Sequence, residues 1–156
     1  MSDGAWAGVS VWRTTGRESE IASVLRQYGF VEGSHGAAGL VREGAAFEAE
    51  YSPIGVFTEL GPDLERVGVV YDAYQYGDGE SYLRRYTPEL GVFEGACGED
   101  GRGFVDTVLV SSALTALTSD DPFTRATAIE RLHYEGGVAW DRALAAERAK
   151  LHGTGS

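Results

Sequence analysis

One cysteine, one lysine and no long apolar run are the chain's clearest shortages, and each narrows what it can be. Cys97 alone cannot close an intrachain disulfide, which excludes a disulfide-built secreted fold. A bilayer-spanning helix takes roughly 18–20 apolar residues, and no stretch approaches that length. The first residues, Met1 to Trp6, lack a basic segment followed by an apolar one, so no signal peptide is expected and the expected location is cytoplasmic. The near-absence of lysine beside many arginines and glycines is the bias of high-GC coding, a compositional expectation of bacterial or phage origin.

The common cofactor motifs are missing too. The glycine-dense run from Gly95 to Gly103 has neither the G-x-G-x-x-G order nor the Gly-Lys-Ser/Thr ending of a phosphate loop. It carries Glu99 and Asp100, which repel phosphate, and reads as a turn. His35, Cys97, His133 and His152 lie far apart, with no C-x-x-C or H-x-x-x-H pair to hold zinc and no calcium loop elsewhere. Neither a metal nor a cofactor is expected.

What the chain has in excess is acid. Its 156 residues hold 24 acidic and 13 basic side chains, for a net charge of −11. That balance opposes sequence-independent nucleic-acid binding, whose affinity comes from Lys and Arg at phosphates. Residues 1–29 and 121–156 are each neutral, whereas 30–120 hold 16 acids and five bases, so the whole excess lies in the middle. The length suits one domain, expected over 1–151 with a disordered tail at 152–156.

The middle is also where strand patterns concentrate. Alternation predicts strands over 6–14, 39–43, 45–51, 66–76, 81–87, 91–97 and 104–112. Turns are predicted at 33–39, at Gly77-Asp78-Gly79 and at 98–103. Ile21, Val24, Leu25 and Tyr28 have helical spacing over 17–28, with Thr15 and Glu18 as a capping box and Gly29 past the end. Residues 54–65 fit a helical turn limited by Gly61-Pro62. Asp121 and Pro122 open a helix to about 135, and a second runs from 138 to about 151. Phe123, Ile129, Leu132, Trp140, Leu144 and Leu151 form its expected buried stripe. The expected class is α+β: a largely antiparallel sheet of four to six strands, with one N-terminal helix and a C-terminal helical segment packed on one face, as in a ferredoxin-like or related sandwich.

Several groups carry possible chemistry. Cys97 has Glu94, Glu99 and Asp100 around it, which raise a thiol pKa, so a buried structural cysteine is the better reading than a nucleophile paired with His35 or His133. Ser34 has no G-x-S-x-G context. Glu130 and His133 share a helix face that reads equally as exposed and polar. Glu48, Glu50 and Asp72 would converge if their strands paired, and like charges would then raise one pKa. Tyr71, Tyr74, Tyr76, Tyr82 and Tyr86 fall in one hairpin beside Arg84 and Arg85, with Tyr74 and Tyr76 expected to approach Tyr82 and Tyr86. Tyrosine and arginine are common interface anchors.

Three functions fit these features. The first is an acidic, non-enzymatic protein-binding domain of inhibitor, immunity or DNA-mimic type. It would dock a basic protein through Glu48, Glu50, Asp72, Tyr74, Tyr76, Tyr82, Arg84 and Tyr86. The second is a small enzyme or small-molecule binder with a carboxylate-lined pocket between sheet and C-terminal helices, with Tyr74 or His133 as donor. The third is a subunit of a phage or plasmid assembly. No membrane contact is expected.

Overall fold

Ala7, Val9 and Val11 alternate with Gly8, Ser10 and Trp12, so a strand here presents two unlike faces. In the computed structural model, which describes residues 4–32, 46–76, 81–97 and 107–153, this segment is β1 (Gly4–Trp12). It is followed by α1 (Glu18–Gln27), β2 (Val31–Glu32), β3 (Ala46–Pro53), α2 (Phe57–Val67) and β4 (Val70–Gln75). Then come β5 (Ser81–Thr87), β6 (Gly91–Cys97), α3 (Thr107–Leu117), α4 (Pro122–Tyr134) and α5 (Val138–Gly153). The strands form one six-stranded sheet in the order β2-β3-β1-β4-β5-β6, with antiparallel neighbours throughout. The first six elements have the split β-α-β-β-α-β order of the ferredoxin-like fold, and β5 and β6 extend its sheet as a meander. The α+β class is as the alternation predicts.

The main core fills the face of the sheet that carries Ala7, Val9, Val11, Tyr71 and Ala73, here the inner face. Ile21 and Leu25 of α1 and Phe57, Leu60 and Leu64 of α2 pack onto it, each buried side chain contributing about 1.5–3 kcal/mol. The C-terminal helix takes the other, outer face, where Leu144 joins Trp12 and Val70 in a second cluster. The helices are therefore shared between the two faces of the sheet.

Several local expectations need correction. The Thr15–Glu18 capping box does not form: Arg17 occupies the N-cap position, its guanidinium donating to the Val67 carbonyl at the end of α2. Gly29, at φ +85°, does follow α1 as predicted. Pro62 does not end the second helix, because the Thr58 carbonyl it deprives of a partner belongs to an exposed residue that water can reach. Arg66 and Val67 finish that helix rather than begin a strand, and Gly68 stops it at φ +85°. The valine-rich run predicted as a strand over 104–112 is helix α3 from Thr107 onward. It packs on α4 instead of pairing with β6, so tertiary context overrides β propensity. In the predicted stripe, Trp140 and Leu144 are buried, while Phe123 is 77% exposed and Ile129 47% exposed. The strand over 39–43, the turns at 33–39, 77–79 and 98–103, and the Leu151 side chain lie outside the described residues. No helix among the described residues is long and apolar enough to cross a membrane.

Gly61 lets α2 approach the sheet. A Cβ there would sit 2.5 Å from Arg84 Nε and 2.8 Å from the Tyr71 hydroxyl. Gly61→Ala is expected to destabilise the fold by about 1–3 kcal/mol through overpacking, although helix propensity alone would favour alanine by about 1 kcal/mol. Urea denaturation checks this, and a stabilised variant would contradict the close approach.

Candidate functional site

The eight residues expected at the partner surface do not form one patch, because strand register divides them. Gln75 stands opposite Tyr82, Tyr74 opposite Leu83 and Tyr71 opposite Tyr86. Tyr82, Arg84 and Tyr86 therefore share the inner face with Tyr71, away from Tyr74. The expected approach of Tyr74 and Tyr76 to Tyr82 and Tyr86 is overturned by one residue of register, since side chains alternate faces at every step.

On the inner face these residues hold the fold together. Arg84 donates to the Tyr71 hydroxyl at 2.7 Å and to Glu65 of α2 at 3.0 Å, and also pairs with Glu94. Tyr71 donates to Glu65 at 2.5 Å, and Tyr82 to Glu94 at 2.7 Å. Burial works against the Arg84 charge, but hydrogen bonds with Tyr82, Tyr71 and Glu65 outweigh it and raise the pKa. Burial and then Glu65 raise that of Tyr71, while burial carries Tyr82 to about 12. Arg84 is a buried brace between α2 and the sheet, and Tyr86 stacks on Tyr71 at 5.8 Å.

The outer face holds the candidate site. A groove of about 380 Å³ is lined by Trp6, Gly8, Val9, Ser10, Phe47, Glu48, Asp72 and Tyr74. β1 lies between β3 and β4, so Glu48 stands opposite Gly8, and Gly8 opposite Tyr74. The strands of Glu48 and Asp72 do not pair directly; β1 lies between them, with Gly8 beneath the Trp6 indole and the small Ser10 leaving the rest of the floor open. A Cβ on Gly8 would meet the Trp6 ring at 2.6 Å, so glycine makes room for that indole. Trp6 lies 5.1 Å from Tyr74 and 5.3 Å from Tyr76, and its indole N–H donates to Glu48 at 3.2 Å. Burial and the Tyr76 hydrogen bond push the Tyr74 pKa up to about 12. Glu50 is exposed on β3 and does not line the groove.

Asp72 is half-buried and paired with arginines rather than with the other two acids. Arg85 donates to it at 3.2 Å and Arg148 of α5 lies 3.6 Å away. Burial raises its pKa, with Arg85 and Arg148 opposing. Around it α5 is clamped to the sheet: Arg85 pairs with Asp141, Arg13 with Glu147 at 2.7 Å, and Trp140 donates to the Gly91 carbonyl at 3.0 Å. Arg148 also lies over the Trp12 ring, 5.4 Å from its centre.

The other candidates do not line this groove, although Cys97 adds to the upward pull on the Tyr74 pKa. Cys97 is buried at the end of β6, and His133 contacts Arg142 at 3.4 Å on the C-terminal helices. His35 lies outside the described residues. No group of three metal-ligating side chains occurs among the described residues. A second cavity, about 210 Å³ between α3 and α4, is lined mainly by Leu109, Ala113, Ala116, Phe123 and Ala128, with Arg131 at its edge; it has no carboxylate. Sequence reasoning passed over Trp6, Trp12 and Arg148, and named Arg85 only as a neighbour of the tyrosine hairpin. The two tryptophans share the Gly8–Ser10 face by simple alternation, a signal present in β1; the arginines needed the fold.

Tyr74 gives a test of the groove's burial. Unfolded tyrosine ionises near pH 10, and folded Tyr74 holds its proton to about 12. Between those values the folded state binds more protons, so stability falls as pH rises through the window. Tyr74→Phe is expected to flatten that fall, measured as urea midpoints at intervals through the window. An unchanged slope would contradict the placement of Tyr74.

Comparison with known proteins finds no matching family model, no matching curated protein and no matching solved structure.

Proposed function

We propose that the chain is an acidic, non-enzymatic binding domain that docks a basic protein through the open part of its outer face. The observation that carries this is the meeting of Glu48, Asp72, Tyr74 and Trp6 around one groove, with Tyr76 beside them. The Glu48 carboxylate supplies attraction for a cationic partner, Asp72 being already paired with Arg85 and Arg148, and the rings supply large contact area at low entropic cost. A net charge of −11 draws such a partner in and turns nucleic acid away. Proteins of inhibitor, immunity or DNA-mimic type work on this principle.

The enzymatic reading has less support. Its pocket was expected between sheet and C-terminal helices, whereas the lining residues belong to β1, β3 and β4. Asp72 is shared by two guanidinium groups, and His133 is held on the helices by Arg142. The assembly-subunit reading keeps one observation of its own, the apolar exposure of Leu114 and Phe123 on the α3–α4 hairpin. Concentration-dependent light scattering tests it.

A labelled peptide of alternating basic residues and glycine, followed by fluorescence anisotropy, tests the docking reading. Binding is expected at about 50 mM salt and at least about tenfold weaker at 1 M, where the screening length falls to about 3 Å. The double variant Glu48→Gln, Glu50→Gln is expected to bind several-fold more weakly. Equal retention at both salt levels, or no binding at either, would contradict docking by charge.

A further inference from the structure

The outer face already binds one arginine, its own. Arg148 lies 5.4 Å from the centre of the Trp12 ring and 3.6 Å from the Asp72 carboxylate. An indole on one side and a carboxylate on the other suit a planar cation, which can stack on the ring while donating to the acid. Trp12 stands at one end of β1, and Trp6 stands at the other on the same face, about 20 Å away at ~3.3 Å per residue. At the Trp6 end Glu48 takes the part of Asp72, and Tyr74 adds a second ring 5.1 Å from the indole.

The difference between the two ends is the cation. Among the described residues no Arg or Lys forms an ion pair with Glu48, and its Oε2 accepts only from the Trp6 indole. The Trp6 indole lies over Gly8, and the small Ser10 leaves the floor beside it unfilled. The resulting volume, about 380 Å³, lies in the ~300–1,000 Å³ range of ligand pockets.

We propose that the groove between Trp6, Tyr74 and Glu48 is a receptor for a guanidinium group, an arginine side chain presented by the basic partner. This rests on the docking reading above and adds a specificity to it. Charge alone treats arginine and lysine alike. Stacking on the open face of a ring and a two-pronged approach to a carboxylate favours arginine, because the ammonium of lysine is a compact, strongly hydrated point charge.

Three peptides of identical spacing, bearing arginine, lysine or citrulline at the cationic positions, separate the two ideas. Against the full chain, the arginine peptide is expected to bind about five- to tenfold tighter than the lysine peptide, with citrulline giving no measurable binding. Trp6→Leu and Glu48→Gln are each expected to bring arginine and lysine to within about twofold. Glu48 is exposed, so Glu48→Gln carries the test if Trp6→Leu proves unstable in urea. Equal, salt-sensitive binding of the arginine and lysine peptides would remove the guanidinium receptor and leave docking by charge standing. An arginine preference that survives both variants would also overturn the receptor. Failure of both cationic peptides to bind would remove both readings.

Discussion

The alternation of β1 at the centre of the sheet is the constraint on which the rest depends. Ala7, Val9 and Val11 must be buried, and α1 and α2 bury them against Tyr71 and Ala73. Once that face is committed, Gly8, Ser10 and Trp12 necessarily point the other way, because a strand reverses its side chains at each residue. Those residues are too small or too few to build a second full core. The outer face is therefore partly open, and what covers it is held by charge as much as by apolar contact.

The C-terminal helix illustrates that balance. Its apolar anchor is Leu144 against Trp12 and Val70, with Trp140 against Phe93 at 5.2 Å. The remaining attachments are ionic: Asp141 to Arg85, Glu147 to Arg13, and Arg148 to Asp72. Removing one partner from such half-buried pairs leaves a charge without compensation, which makes them more costly to break than surface pairs. The helix meets the Trp12 end of β1, whereas the groove lies toward Trp6 and Tyr74. Its position thus leaves a surface with the composition of a cation receptor.

Much of this frame was legible in the amino-acid order. The strands of β1, β5 and β6, helix α1 and the Asp121-capped α4 follow from alternation, helical spacing and a capping residue. The acidic middle, with Glu48, Asp72 and Tyr74, pointed to groove residues before any pairing was known. Register was not legible. Whether Tyr82 faces Tyr74 or Gln75 depends on a turn of a few residues, and a slip of one position moved Tyr82, Arg84 and Tyr86 to the inner face. Nor did local pattern reveal α3, whose valines suit a strand but lie against α4. Arg148 escaped notice, and Arg85 was seen only as a neighbour of the tyrosines, because their shared partner Asp72 lies 76 and 13 positions away in sequence.

The most direct measurement is an amide and indole NMR titration of the chain with the arginine-bearing peptide, the three tryptophan indole signals being assigned by single Trp→Phe variants. The indole of Trp6 is expected to shift progressively with peptide, together with the amides of Gly8 and Glu48, while that of Trp140 stays in place. Shifts confined to α3 and α4, or an unmoved Trp6 indole at saturating peptide, would contradict a cation receptor on the outer face.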